Sequence, residues 1–315
     1  MIIDAYAHVG LPRFQTLSDY ETVMKSAGID RAVLVGFDSS PDLPEVYGGL
    51  VRRPADFRVM GVPIGRDRAR MEAAVQAQFT AGFSGLRLTD GDVTLRPWLL
   101  DALGTANGIA IVCGQVSSAE LAIPLLSHLE KFADTTVIGG HFAGPRDPAA
   151  LEAGPVAELF AHPRFSVIWS RHGGYASAEL ERWSEALVER VGWQRLLWGS
   201  EAPVMFWRNE TIESALAWVD RFAPADAQRA AFLGENAERI FFRSAPVVGE
   251  LTVPFDLWED AAVIPSDLWA NGLSVNQRLA GRLVHAWIAD EGATNGPLGS
   301  YLERLLDQNL PPVTN

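Results

Sequence analysis

The sequence predicts an α/β protein: a (β/α)8, or TIM, barrel followed by a mainly helical C-terminal extension. Three observations carry this expectation. Eight short apolar runs alternate with helix-forming segments over about the first 220 residues. The runs are apolar without a break, as in strands covered on both faces by helices in a parallel sheet. Eight such units suit a closed barrel better than an open doubly wound sheet. No Gly-x-Gly-x-x-Gly follows a strand and no P-loop occurs, so nucleotide folds are the weaker reading.

The first strand is predicted in 2–10, Ile-Ile-Asp-Ala-Tyr-Ala-His-Val-Gly, an apolar run ending in polar groups. A helix over 18–28 follows, with Ser18 as its cap, Glu21 completing a capping box and Gly28 closing it. The further strands are expected at 31–37, 58–64, 84–89, 109–115, 136–141, 165–171 and 195–201. The helices between and after them are expected at 43–53, 67–81, 96–107, 118–132, 148–161, 177–191 and 210–222. A helix over 225–241 closes the unit, so residues 1–242 form one barrel domain. Residues 243–315 break the rhythm with Pro246, Pro254 and Pro265, and helices are expected at 274–290 and 298–308. Trp258, Trp269 and Trp287 call for burial, so this extension is expected to pack on the barrel or on a second subunit of a homodimer.

Composition narrows the partners. The 315 residues carry a net charge of −13, and Lys25 and Lys131 are the only lysines, which argues against nucleic acid and anionic membrane surfaces. No apolar run reaches membrane-spanning length, and a core strand begins at residue 2 where a leader would stand. A cytoplasmic protein acting on a small-molecule substrate is expected. The single cysteine, Cys113, rules out an intramolecular disulfide and reads as a small buried hydrophobe. His128, His162 and His285 read as solvated.

In such a barrel the chemistry sits at the C-terminal ends of the strands. Those ends supply Tyr6 and His8, Arg87, Gln115, His141, Arg171 with His172, and Glu201. Two histidines with a carboxylate suit acid–base chemistry, and the arginines suit an anionic substrate. Trp198, beside the last tip, is a candidate wall for the substrate pocket.

Four blocks carry a family resemblance: Ile-Asp-Ala-Tyr-Ala-His-Val-Gly at 3–10, Gly-Gly-His-Phe-Ala-Gly-Pro at 139–145, Leu-Leu-Trp-Gly-Ser-Glu-Ala-Pro at 196–203 and Gly-Glu-Asn-Ala-Glu-Arg-Ile-Phe at 234–241. In this order the chain resembles the amidohydrolase-related branch of the metal-dependent amidohydrolase superfamily, whose members include C–N hydrolases, lactonases and non-oxidative decarboxylases. The resemblance implies metal ligands at the strand tips, and here the pattern departs. Tyr6 stands where the family opens its His-x-His, Gln115 is nearest to the fifth-strand His, and Glu201 replaces the eighth-strand Asp. His8 and His141 remain. The expectation is a lost or reduced metal site with no cofactor; were zinc or another divalent ion held, His8, His141 and Glu201 would be its ligands.

The function expected is an amidohydrolase-like hydrolase, of lactonase type among others, acting on a small cyclic or carboxylated substrate. Glu201, His8, His141 and Tyr6 would be catalytic, and Arg87, Arg171, Gln115 and Trp198 would bind substrate. A decarboxylase, lyase or cyclase using metal-free acid–base catalysis is the alternative. A non-catalytic binding or assembly protein on the same barrel is the reading from another class, and polar groups kept at three strand tips argue against it.

Overall fold

The computed structural model describes residues 1–11, 13–208, 210–257, 277–290, 301, 304, 305 and 308. Eight strands form its centre: β1 (Ile3–Ala7), β2 (Arg31–Val35), β3 (Phe57–Met60), β4 (Gly85–Thr89), β5 (Ile109–Cys113), β6 (Thr136–Gly139), β7 (Phe165–Trp169) and β8 (Leu196–Trp198). All neighbouring pairs are parallel. The β3–β4 seam is joined by Gly61 N–H to Gly85 O and Arg87 N–H to Gly61 O, both 2.8 Å. The β8–β1 seam is joined by Glu201 N–H to Tyr6 O and His8 N–H to Ala202 O, both 2.7 Å. Gly199 permits that last approach, since a Cβ there would stand 2.9 Å from the Tyr6 Cβ.

Alternation along the strands sorts side chains into two layers. Val33, Val35, Ile109, Ile111, Ile138, Ile168 and Leu197 fill the barrel interior. Leu86, Leu88, Ala110, Val112, Val167, Trp169, Leu196 and Trp198 pack outward under the helices. Those helices are α1 (Leu17–Ala27), α2 (Leu43–Arg52), α3 (Arg68–Ala81), α4 (Asp90–Leu95), α5 (Trp98–Thr105), α6 (Ala119–Lys131), α7 (Gly154–Ala161), α8 (Ser177–Arg190) and α9 (Ile212–Ala217). The barrel floor is closed by α10 (Asp226–Ala230), a π turn at Ala231–Glu235 and α11 (Asn236–Phe241), with Ala237, Phe241 and Phe242 joining the interior layer. Asn236 fixes this closure by donating Nδ2 to the carbonyls of Trp193 and Leu196, at 2.7 and 2.8 Å.

Several boundaries differ from the expectation for local reasons. Thr16, rather than Ser18, caps α1, because its hydroxyl accepts from Asp19 N–H while Asp19 returns the bond, and Gly28 ends the helix in the left-handed region as expected. A capping box of Thr89 and Asp92 nucleates α4 between β4 and α5, where one helix is expected. The segment 148–161 divides at Gly154 into a 3-10 turn and α7.

Beyond the barrel, α12 (Gln277–Asp290) buries Val284, Trp287 and Ile288. The Trp287 ring lies 4.4 Å from that of Phe206, on the loop after β8, and His285 Nδ1 is 2.9 Å from Asp19 Oδ2 on α1. Trp258, Trp269 and most of the helix expected at 298–308 lie outside the described residues. His128, expected in solvent, is instead buried on α6, 5.3 Å from the Phe132 ring; burial pushes its imidazole down to about 4.

Candidate active site

The polar cluster at the barrel mouth is held from below by Asp4. This buried carboxylate accepts from Tyr20 Oη at 2.7 Å, Ser200 N–H at 2.8 Å, Tyr6 N–H at 3.1 Å and the Ser200 hydroxyl. It ties β1 to the loop that carries Glu201. Burial pushes the Asp4 carboxyl up, and these hydrogen bonds oppose that.

His8 leaves β1 with its Nδ1 2.7 Å from Val35 O, so Nδ1 carries the proton and Nε2 is the free ring nitrogen. Its ring stacks on Phe14 at 4.6 Å. Burial, reinforced by the charge of Arg87, pushes His8 down to about 3, so it is neutral across the working pH range.

His141, Phe142 and Ala143 all adopt left-handed backbone, with φ of 51°, 58° and 59°. Such a run costs on the order of 1–3 kcal/mol per residue and persists only where its surroundings impose it. Here Tyr175 Oη donates to His141 O at 3.2 Å and Trp183 Nε1 donates to Phe142 O at 2.8 Å. The turn sets His141 Nδ1 2.9 Å from Ser170 Oγ and Nε2 3.5 Å from Glu201 Oε1. Glu201 is also left-handed, with φ of 57°.

The other Glu201 oxygen accepts from Arg208 Nη2 at 2.6 Å. Arg208 Nε in turn donates to Glu210 Oε1, and Glu210 Oε2 lies 3.0 Å from His172 Nδ1. Burial alone would push the Glu201 carboxyl up, but His141 when protonated, Arg208 and Arg171 outweigh it and hold it near 2. Glu201 is therefore a carboxylate at any ordinary pH.

Opposite this pair, Arg87 Nε donates to Tyr6 Oη at 3.0 Å, and Tyr6 Oη is 3.2 Å from Cys113 Sγ. Burial, then the neighbouring thiol, raises the Tyr6 phenol well above its ordinary value, so it stays a donor. Burial would raise the thiol too, but His141 and Arg87 pull it down to about 7. Arg13 and Arg87 both lie over the Phe37 ring, at 4.7 and 4.6 Å from its centroid. Arg13 Nε is buried and has no hydrogen-bond acceptor among the described residues. Burial and the Arg87 charge lower the Arg13 guanidinium to about 10.

The structure brings Tyr6, His8, Arg87, His141 and Glu201 into one cluster, with Arg171 acting on Glu201 from the rim. Two expected substrate contacts sit elsewhere. The Gln115 amide is spent on Ser117 Oγ at 3.1 Å and Gly144 O at 2.8 Å. Trp198 packs in the outer layer between strand and helices, away from the barrel interior. Cys113, Arg13, Arg208 and Asp4 were missed. Counting in twos from Ile109 and Ile111 puts Cys113 on the inner face, which is a signal the sequence contains. Arg13 and Arg208 lie on loops, where no periodicity points to them.

A divalent ion, as the resemblance implies, would use His8 Nε2, His141 Nε2 and a Glu201 oxygen. These residues do not fit one. Glu201 already accepts from Arg208 on one oxygen, and the Arg87 guanidinium adds fixed positive charge beside Tyr6 and His8. Among the described residues no group of three or more His, Cys, Asp or Glu is arranged to hold a metal ion.

Comparison with known proteins agrees with this fold. The amidohydrolase family model matches residues 4–243. No curated protein matches the chain. An amidohydrolase from Burkholderia multivorans with bound zinc is similar at 17% identity and a TM-score of 0.59, covering 76% of this chain and 98% of that one. A probable 2-pyrone-4,6-dicarboxylic acid hydrolase from Acinetobacter baumannii with citric acid bound has 17% identity and a TM-score of 0.59, covering 76% and 99%. A dihydroxybenzoic acid decarboxylase from Polaromonas, with manganese and 2-nitroresorcinol, has 14% identity and a TM-score of 0.51, covering 76% and 96%. At these identities the likeness is one of fold. Among the described residues no helix is long and apolar enough to cross a membrane.

Proposed function

The chain belongs to the amidohydrolase family, an enzyme family, and from that premise we propose that it opens a lactone ring in a small substrate carrying carboxylate groups. One observation carries the reading. In a chain of net charge −13, the barrel mouth gathers Arg13, Arg87, Arg171 and Arg208 against Glu201, Glu210 and Asp38. Arg208 is committed to its two carboxylates and Arg171 is exposed at the rim, while the buried Arg13 Nε takes no hydrogen-bond acceptor among the described residues. An anionic ligand supplies what that nitrogen lacks.

The chemistry follows from the same atoms. The Glu201–His141 pair moves a proton to and from the reacting oxygen. The Tyr6 hydroxyl, kept neutral by burial, and Arg87 beside it donate to an oxyanion developing on the carbonyl. No step uses a metal. A lactone oxygen leaves as an alkoxide or enolate and needs less acid assistance than an amide nitrogen, so ring opening suits this site better than amide hydrolysis. Decarboxylation is disfavoured because guanidinium groups stabilise the carboxylate that would have to leave. The description of the Acinetobacter protein as a pyrone-dicarboxylic acid hydrolase holding citric acid supports this substrate class.

The test is a panel of lactones with and without carboxyl groups, 2-pyrone-4,6-dicarboxylic acid among them, followed by acid release at constant pH. Carboxylated lactones should be opened, and Glu201→Gln should slow this by about a hundredfold or more. Carbon dioxide release from carboxylated phenols with no lactone opened would replace this reading with the lyase one.

A further inference from the structure

Cys113 ends β5 on the inner face and is the only cysteine in the chain. Its sulfur stands 3.2 Å from Tyr6 Oη and against Gly140, where an added Cβ would meet Sγ at 2.8 Å. The glycine thus leaves the space that the sulfur occupies, and the next residue is His141, whose imidazole adjoins the thiol. A second observation points to a ligand here. Arg87 is nine-tenths buried and gives Nε to Tyr6, yet its two Nη groups have no acceptor among the described residues. The thiol and the Arg87 guanidinium thus flank the Tyr6 hydroxyl, with the His141 imidazole beside the thiol, the kinds of group that covalent acyl transfer requires.

Resting on the lactone-opening reading, we propose that Cys113 is the nucleophile and that ring opening passes through a thioester on its sulfur. His141 takes the thiol proton as sulfur bonds to the lactone carbonyl carbon, and the carbonyl π pair moves onto oxygen between Tyr6 and Arg87. Collapse breaks the ring C–O bond, and the leaving oxygen recovers the proton from His141. Water then attacks the thioester, losing a proton to the His141–Glu201 pair. The C–S bond breaks, the thiol is restored, and the product is the ring-opened acid. Ser170 Oγ, 2.9 Å from Nδ1, can donate or accept, so the imidazole can shift its proton between nitrogens.

The test begins with the native full chain and two alkylating probes that differ in charge. Iodoacetate should modify Cys113 faster than iodoacetamide by about tenfold, because the arginines draw in the carboxylate, and Arg87→Met should remove the preference. With one cysteine in the chain, intact mass reads the result directly. With a carboxylated lactone, acid quenching should trap one acyl group on the protein, and Glu201→Gln should accumulate it. Cys113→Ala and Cys113→Ser, checked for folding by circular dichroism, should lose turnover. Wild-type turnover in either variant overturns the nucleophile and leaves lactone opening intact. No lactone opened, with the iodoacetate preference present, overturns the function and leaves an anion-steered thiol. No preference, or no native-state reaction, overturns the nucleophile.

Discussion

Replacing Arg208 with methionine tests the electrostatic frame of the site. Met keeps much of the stem volume and removes the charge. Two carboxylates depend on that charge: Glu201, 5% exposed, and Glu210, 1% exposed. Breaking a buried ion pair from one side costs about 3–5 kcal/mol. Glu201 keeps His141 and Arg171, and Glu210 keeps His172, so a loss of about 3 kcal/mol at neutral pH is expected. The pH dependence has a definite sign. In the wild type, burial raises the Glu201 carboxyl and the surrounding charges lower it further, to about 2. Its stabilising contribution is therefore present above the ordinary value of 4.5 and is lost as pH falls through about 2. Without Arg208 the folded-state value rises, the contribution shrinks, and the gap between the two proteins closes on acidification. Urea unfolding of both proteins at pH 7.5 and pH 4 reads this directly. A loss below about 1 kcal/mol at pH 7.5, as for an exposed pair, would refute the reasoning. So would a gap that widens in acid.

Asp4→Ala should cost about 2–4 kcal/mol in urea unfolding, since it strands the donors of Ser200, Tyr20 and Tyr6; a neutral result would mean that the β1–β8 seam does not need them. His128→Leu should stabilise, with the gain growing as pH falls from 6.5 towards 4, where the unfolded chain takes a proton that the buried ring refuses. The gain should be about 1–2 kcal/mol at pH 5 by thermal unfolding. Trp287→Ala should cost about 3–5 kcal/mol of stability, because the ring is fully buried against Phe206. Dialysis against a chelator should leave lactone turnover unchanged, and loss of turnover restored by zinc would reverse the reading of Arg87 and Arg208.

Much of the barrel was legible because its signals are local. A strand buried on both faces is a run of Val, Ile and Leu whatever its neighbours, and all eight runs are strands. The expected strands extend past the observed ends at 35 and 60 because the composition stays apolar through Phe37 and Ile64. They extend past 113 and 198 because the polar tips Gln115 and Glu201 are counted with their strands, although pairing stops where the chain turns into the mouth. His8, His141 and Glu201 were legible because motif blocks mark strand tips. Trp198 was misread through identity rather than position, and Cys113, which packs on the interior cluster as expected, also faces Tyr6. Tryptophan often lines pockets, but alternation from Leu197 puts Trp198 outside, as alternation from Ile111 puts Cys113 inside. Asp4 reaches Tyr20 and Ser200, and Arg13 reaches Phe37 and Trp207, through tertiary closure, while Arg208 meets Glu201 and Glu210 within one irregular loop that has no period to read. Gln115 is two residues past its strand, where a bend gives its amide to the next loop.

Arg87 has a consequence that reaches past the site. Charge carried on a backbone-anchored side chain is delivered by translation and arrives with the folded protein. It cannot be scavenged, exchanged for a neighbouring element or outcompeted by a chelating metabolite. It also cannot be tuned, since one guanidinium offers one formal charge and a planar set of donors. A barrel that draws its positive potential from Arg87 would have the same electrophilic strength in metal-starved and metal-replete surroundings. The codon at position 87 would then govern its catalytic power as directly as cation supply governs that of a metalloenzyme.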